Sequence, residues 1–411
     1  MAPSNDAKPL RSVTIVGGGM SGFSVARELR SRGFRGELTL IDPAGIPYDR
    51  PPLSKEYLLG SRSAQDIQLA AADWFAEHQV VVVTGRAVAL RPDEATVVLD
   101  DGREITGDKV ILATGGAARR LAIPGGDLDS VLELRTREDA DRLRSVLKPG
   151  ARLAIIGAGL IGAEVASSAL PFGADVVLID PVDPPLVPAV GHALARRLHD
   201  MHPDRGVEVV TGVPTSITRD PGGRHHVAMA SGETIDADAV LVGIGIVPET
   251  GLADAAGLAT DNGTLVDESQ RTAHPNIYAV GDSSRSRLAD GTLLRRAEHW
   301  EHAVNTGATA AAALLGQDLP KHGVSWFWSD RHGVHVEGVG SMTGDGTTIV
   351  REKDGEPSVV FRLDPDGYLA GCAAVDGGLS VRAARRLIDR RILVDPQQLA
   401  DPAIDLKKLT K

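Results

Sequence analysis

Two sets of glycines carry the first chemical signal. Gly17, Gly19 and Gly22 stand at G-x-G-x-x-G spacing, and Gly157, Gly159 and Gly162 repeat it. Glycines so placed let the chain turn tightly, let backbone approach a diphosphate, and let the next helix pack on the preceding strand. Each set is followed about 20 residues later by an acid, the spacing at which a carboxylate accepts from a ribose hydroxyl; these acids are Asp42 and Asp180. Arg50 and Lys55 flank Pro51-Pro52, and two cations there suit phosphate or a ring carbonyl, or simply a solvated loop. Cys372 is the only cysteine, which excludes an internal disulfide framework, a cysteine-held iron–sulfur cluster and a C-x-x-C redox pair.

The surrounding residues supply the elements such chemistry needs. A β-branched run at 13–16 predicts a buried parallel strand. Met20 and Ser21 then open a helix with Phe23, Ala26 and Leu29 on one face, and 38–41 forms a second strand ending at Asp42. The pattern recurs as strand 152–156, a turn carrying Leu160 and Ile161, helix 163–170 and strand 175–179 ending at Asp180. Two full fingerprints imply two dinucleotides, or a resident flavin and a visiting nicotinamide. No Arg or Lys occurs between Asp180 and Gly191, so the second site favours the free ribose of NAD over a 2′-phosphate.

Other segments are less specific. Pro51 and Pro52 predict an extended, stiff elbow, with no helix before Ser54. Trp74 and Phe75 end a helix-like stretch, and strands are predicted at 80–83 and 95–99, the latter turning at Asp101-Gly102. The strand at 110–112 stops in Ala113-Thr114-Gly115-Gly116, small residues that let a strand end pass close to a ligand. A helix at 138–147 halts at Pro149-Gly150, and strands follow at 207–210, 226–230 and 239–242, with Gly243 and Gly245 relieving the last. In the strand-and-turn 276–282, Asp282 follows Gly281 as either an N-cap or a ligand contact. An alanine-rich helix covers 303–315. Beyond about 322 the composition shifts to alternating strands and a closing basic helix at 381–391, a separate small α+β domain.

The bulk properties set limits. With 42% apolar and 24% charged residues the chain is an ordinary globular protein of two or three domains. A net charge of −11 argues against general nucleic-acid binding. The start of the chain has no apolar signal core, and the longest apolar run, 239–247, is far short of the ~18–20 residues of a membrane span. A soluble, cytoplasmic protein without a metal site is expected.

With these segments in view, the chain resembles the FAD-dependent NADH:ferredoxin reductases that serve Rieske dioxygenases and P450s, and the related rubredoxin reductases. The likeness runs nearly end to end: the first fingerprint, PYDRPPLSKEYL, ILATG, GAGLIGAE, GIGIVPET, TAHPNIYAVGD, EHW and WFWSD. PPLSK and WFWSD are its specific parts. It implies an α/β fold of two Rossmann-like dinucleotide-binding domains, glutathione-reductase-like, plus a C-terminal α+β domain. The boundaries expected are 10–117 with 247–322 for FAD, 118–246 for NADH, and 323–411 for the C-terminal domain. It implies electron flow from NADH through FAD to a ferredoxin, Rieske-type or other [2Fe–2S], or a rubredoxin, feeding an aromatic-ring dioxygenase or P450, in a monomer or homodimer.

The resemblance also assigns residues. Gly17, Gly19, Met20, Ser21, Gly22, Asp42, Arg50, Lys55, Val88, Ala113, Thr114, Gly115, Arg135, Gly281, Asp282 and Trp300 are expected around FAD. Gly157, Gly159, Leu160, Ile161, Gly162, Glu164, Asp180, Gly243 and Gly245 are expected around NADH. Lys55 is implied near flavin N5, Glu164 as its ionic partner and the orienter of the nicotinamide amide, and Trp328 over the ring. On residue type alone, ordinary core packing explains Trp300 and Trp328 as well. His302, Thr306, Arg331 and His332 depart from the family's pattern, and the loop after Asp42 is about one residue short. Because iron–sulfur partners are commonly acidic, Arg295, Arg296, Arg331, Arg382, Arg385 and Arg386 are candidate docking residues or solvated faces. Two alternatives stand beside this reading: an NADH oxidase, which would need a cysteine by the flavin, and an apoptosis-inducing-factor-like protein whose NADH response serves binding.

Overall fold

In a computed structural model describing residues 9–410, the β-branched and apolar runs become parallel strands buried on both faces. Tertiary contacts divide the chain into two units. One holds the chain up to Arg50 with Ala64–Ala117 and Val247–His322; the other holds Pro51–Ser63, Ala118–Ile246 and the chain from Gly323 onward.

The first unit is built on a five-stranded parallel sheet in the order Ile277–Ala279, Lys109–Leu112, Ser12–Val16, Glu37–Asp42, Val80–Thr84. Val13 and Ile15 point to one apolar core, with Phe23, Leu29 and Phe34, while Val16, Val110 and Leu112 point to the other. The helices Met20–Ser31 and Trp300–Leu314 pack closely at Gly307, where a Cβ would come within 2.8 Å of Ser24 Cβ. Trp74 and Phe75 lie inside the short helix Ala72–Glu77 rather than at the end of a longer one, and their rings meet Phe23 at 5.2 and 6.1 Å. A three-stranded antiparallel meander, Ala87–Arg91, Thr96–Leu99 and Glu104–Thr106, is attached.

The second unit repeats the plan. Its parallel sheet runs Glu208–Thr211, Asp175–Asp180, Arg152–Ile156, Ala239–Val242, Val131–Leu132, again with a meander, Pro214–Arg219, His225–Met229 and Thr234–Ala237. The same unit contains a five-stranded antiparallel sheet ordered Trp326–Arg331, Val334–Gly340, Leu369–Val375, Glu356–Leu363, Thr347–Lys353. One face of this sheet packs on the helix Gly378–Asp389 through Val381, Ala384 and Leu387. Its other face shares a core with the helix His192–Asp204, where Leu194 and Leu198 meet Val336 and Val360. The basic helix begins at Gly378, three residues before its expected start at 381, and ends at Asp389, two before its expected end.

Residues 51–63 group with the second unit, not with the segments around them. The proline elbow is not extended: Pro51–Ser54 is a 3-10 helix, and Lys55 N–H donates to Pro52 O at 3.0 Å. Proline suits the first positions of a helical turn, where its missing N–H has no partner to lose, so Pro51-Pro52 starts a turn here instead of preventing one.

Candidate functional site

The two glycine turns are the same device. Gly17, at φ +107°, donates its N–H to Ile41 O at 2.8 Å, and a Cβ there would stand 2.2 Å from Ala113 O. Gly157, at φ +106°, donates to Ile179 O at 2.8 Å, and its Cβ would stand 2.6 Å from Gly243 O. The third glycines are fixed by helix packing: a Cβ on Gly22 would lie 1.9 Å from Gly17 O, and on Gly162 1.8 Å from Gly157 O. The middle glycines differ. Gly159 has nothing within 4 Å of a Cβ position, and the three atoms nearest a Cβ on Gly19 all belong to the Arg50 guanidinium, the closest being Nη1 at 2.6 Å. No packing inside the protein therefore requires Gly159 to lack a side chain; the empty approach fits a ligand backbone.

The helices Met20–Ser31 and Leu160–Ala169 begin at these middle glycines with no side-chain cap, leaving first-turn N–H groups for an anion. By contrast Arg137–Val146 starts in a full capping box between Thr136 and Asp139, and Arg135, just before it, donates its backbone N–H to Asp139 Oδ2 at 3.1 Å. The Arg50 Nε is buried with no partner in the first cradle, as expected of a cation meant for an anionic group.

The two acids first hold their own turns. Asp42 accepts from Gly18 N–H at 2.6 Å and Ala44 N–H at 2.8 Å; Asp180 accepts from Ala158 N–H at 2.8 Å and Val182 N–H at 2.9 Å. Each carboxylate keeps lone pairs for a ribose hydroxyl.

Around the first cradle, Gly281 at φ +68° approaches Ser21 so closely that a Cβ would lie 2.6 Å from Ser21 Oγ. Gly281 N–H donates to Thr306 Oγ1 at 2.9 Å, so Thr306 holds the turn before Asp282. Asp282 lies inside the 3-10 turn Gly281–Ser283, whose N-cap is Val280. Arg296 donates to Asp282 O at 2.8 Å, and its side chain is only 5% exposed. Trp300 opens its helix and donates from Nε1 to Asp49 Oδ1 at 3.1 Å. Burial outweighs the pull of Asp282 and lowers the pKa of His302. Thr114 Oγ1 donates to Glu249 O at 2.6 Å, Gly115 O accepts from Glu249 N–H, and Val88 is exposed on its strand.

In the second unit a polar cluster centres on Glu164, a buried carboxylate on the helix that starts at Gly159. It accepts from Ser54 Oγ at 2.5 Å and from Ser329 Oγ at 2.6 Å, and stands 3.8 Å from Lys55 Nζ. Lys55 Nζ is 2.8 Å from Asp330 Oδ2 and 5.7 Å from the centre of the Trp328 ring. Burial opposes ionisation of Asp330, but its bonds to Lys55 and His335 outweigh this and lower its pKa. Lys55, Glu164 and Trp328 are thus brought together. Ser54, Ser329 and Asp330 complete the group; they stand inside PPLSK and WFWSD, where residue type alone gives them no role.

Two docking candidates are corrected. Arg331 is 3% exposed, donating to Ser329 Oγ at 3.0 Å, and burial lowers its pKa to about 10; it supports the Glu164 cluster rather than a surface. Arg296 is likewise inside, as above. His332 pairs with His202 at 2.9 Å between Nε2 and Nδ1, with burial pushing both pKa values down, to about 4 and about 3.

Two cradles of one build, each ending its second strand in an acid, define an oxidoreductase of the two-dinucleotide class. Comparison with known proteins places it further: the chain belongs to the pyridine nucleotide-disulphide oxidoreductase family, which matches residues 11–307, with a reductase C-terminal domain over 326–410. It is similar to rhodocoxin reductase of Rhodococcus erythropolis (37% identity, covering 96% of this chain and 93% of the relative). It is also similar to the ferredoxin--NAD(+) reductase component of the p-cumate 2,3-dioxygenase system of Pseudomonas putida (36%, 97% and 98%). Among solved structures, the covalent putidaredoxin reductase–putidaredoxin complex matches with a TM-score of 0.91 at 31% identity over 98% of both chains. FAD and NAD(H) are the cofactors of this family, and the two cradles fit them.

Proposed function

We propose that the chain is an NADH-dependent reductase that passes electrons through FAD to a ferredoxin serving a dioxygenase or P450 system. The relatives' activities and the putidaredoxin complex support this reading. The observation that carries it is the position of the sole cysteine. Cys372 is fully buried in the C-terminal antiparallel sheet, and burial pushes its thiol pKa up, so it is neither reachable nor nucleophilic. With no thiol able to take electrons, the acceptor comes from outside the chain.

The chemistry FAD supplies when bound is acceptance of a hydride and release of its electrons one at a time. The first cradle, with Gly17, Gly19, Gly22, Asp42 and Arg50, holds FAD by its diphosphate and ribose; Gly157, Gly159, Gly162 and Asp180 do the same for NADH. Glu164 fixes the Lys55 ammonium, and Ser54 and Ser329 fix Glu164. Held this way, Lys55 presents positive charge without rearranging, which is how a preorganised site stabilises developing negative charge.

In an anaerobic titration, NADH should bleach the flavin at one equivalent, and a thiol reagent should label no cysteine until the protein is unfolded. Cys372→Ala should keep the full reduction rate; a loss of electron transfer in that variant would return the reading to a thiol enzyme. Asp180→Ala should raise the NADH KM about tenfold, roughly 1.4 kcal/mol, and narrow the preference over NADPH by removing a charge that repels a 2′-phosphate. An unchanged ratio of kcat/KM for the two nucleotides would remove Asp180 from the ribose site.

A further inference from the structure

The contacts around Lys55 continue into side chains that the reaction as described does not use, and they close on themselves. Asp330 joins Lys55 through Oδ2 and, through Oδ1, lies 2.6 Å from His335 Nδ1. His335 Nε2 lies 3.1 Å from Glu337 Oε1, and Glu337 Oε2 accepts from Trp326 Nε1 at 3.0 Å. The Trp326 ring stacks on Trp328 at 4.9 Å and 24°, which returns to the Lys55 ammonium. Strand register makes this possible: Asp330 stands opposite His335 and Trp328 opposite Glu337, and a two-residue period puts all four on one face of the sheet.

Both ring nitrogens of His335 face a carboxylate. A neutral imidazole has one N–H, so it would satisfy one carboxylate and turn a lone pair on the other; only the imidazolium donates to both. The charged and titratable groups facing His335 are Asp330 on the neighbouring strand, Glu337 on its own, Lys55 behind Asp330, and Asp376, whose carboxylate accepts from the His335 backbone N–H at 3.0 Å. Its side chain is 40% exposed, so a proton can exchange with solvent.

We propose that His335 is a positioning residue: by bridging Asp330 and Glu337 it holds the Lys55 ammonium and the Trp328 indole as one rigid pair. This rests on the reading above that Lys55 and Trp328 serve the hydride-transfer step. Partial burial disfavours the charged ring, but the two carboxylates outweigh it and raise the pKa of His335 above its ordinary value. The bridge is therefore complete at and below the ordinary histidine pKa and opens as pH climbs through the raised one. On opening, either the Asp330–Lys55 arm or the Glu337–Trp326 arm is released.

The test uses the FAD-loaded protein. In an NMR pH titration, the histidine Cε1–H signal absent from His335→Gln should titrate above about 6.5, the ordinary value. Glutamine carries both its N–H donors on one nitrogen and presents an acceptor oxygen beside it, so it cannot reproduce the two opposed donors of the imidazolium. The unmodified protein should lose rate as pH climbs through the raised pKa; His335→Gln should reduce flavin three- to tenfold more slowly at neutral pH, with little change in NADH KM, and should lack that alkaline fall. A signal titrating at or below 6.5, or an alkaline limb that survives in His335→Gln, would overturn the proposal. The two readings fail separately. A flavin that NADH does not reduce contradicts the reductase assignment while the titration still decides the bridge; fast reduction with an ordinary histidine titration contradicts the bridge alone.

Discussion

Lys55→Met is expected to slow NADH-dependent flavin reduction by about 10²–10³-fold, the usual effect of removing one preorganised electrostatic group from an active site. Methionine keeps the length and apolar stem of lysine, so packing against Trp328 should survive. What disappears is the charge. Glu164 and Asp330 would then lose the cation they share, although Ser54 and Ser329 would still bond Glu164 and His335 would still bond Asp330. Removing one partner of a fully buried ion pair costs about 3–5 kcal/mol. Here the Asp330 side chain is 40% exposed, so the stability loss should be about 1–2 kcal/mol, between that figure and the roughly 0.2–1 kcal/mol of exposed pairs. The acid side offers a second readout. Asp330 has a lowered pKa, so its contribution to stability is present above the ordinary aspartate value and lost as pH falls through the lowered one. In Lys55→Met that loss should be smaller and should be complete at a higher pH. A variant with normal flavin reduction and altered stability alone would make the Lys55 cluster structural.

The second large effect is a contrast between neighbours. Gly162→Ala puts a methyl group 1.8 Å from Gly157 O, a backbone atom, so helix and strand must separate. Such overpacking costs about 1–3 kcal/mol, and NADH affinity should fall by at least about 100-fold because the helix N-terminus moves with the turn. Gly159→Ala meets nothing within 4 Å. Its melting temperature should match the unmodified protein, yet its NADH KM should rise about tenfold, because the methyl group enters the space left for the diphosphate. FAD content should be unchanged in both. If Gly159→Ala binds NADH normally, that approach is not the nucleotide's. The measurements are melting temperature, flavin content and the NADH dependence of reduction, made on both variants together.

These variants also show why some of the molecule could be read from the chain. The glycine turns were legible because each requirement is local. Gly17 needs its positive φ and Gly22 its missing Cβ within six residues, and the acid that closes the turn lies on the next strand. The Glu164 cluster was not. Ser54 lies 110 residues from Glu164, and Ser329 lies 165 residues away. Nothing in their types separates them from any buried serine. His335 and Glu337 look like the polar half of an alternating strand. Only the register that sets Asp330 opposite His335 turns them into a bridge. Arg331 misled for a related reason: strand alternation turns it to the face opposite Asp330, so an arginine expected at the surface supports a buried serine instead. The proline pair misled through length, since two prolines followed by Leu53 and Ser54 are enough for one 3-10 turn that brings Ser54 and Lys55 to Glu164.

In the proposed reaction electrons leave the flavin for an external iron–sulfur protein. The most direct measurement is anaerobic stopped-flow: mix the protein with NADH, then with an oxidised [2Fe–2S] ferredoxin, and follow both chromophores. The expected result is rapid loss of the flavin band at about 450 nm, followed by one-electron reduction of the cluster at a rate that depends on ferredoxin concentration and is unchanged in Cys372→Ala. Flavin that NADH bleaches but that then transfers nothing to any of several [2Fe–2S] ferredoxins, while it reacts rapidly with oxygen or a disulfide, would contradict the account.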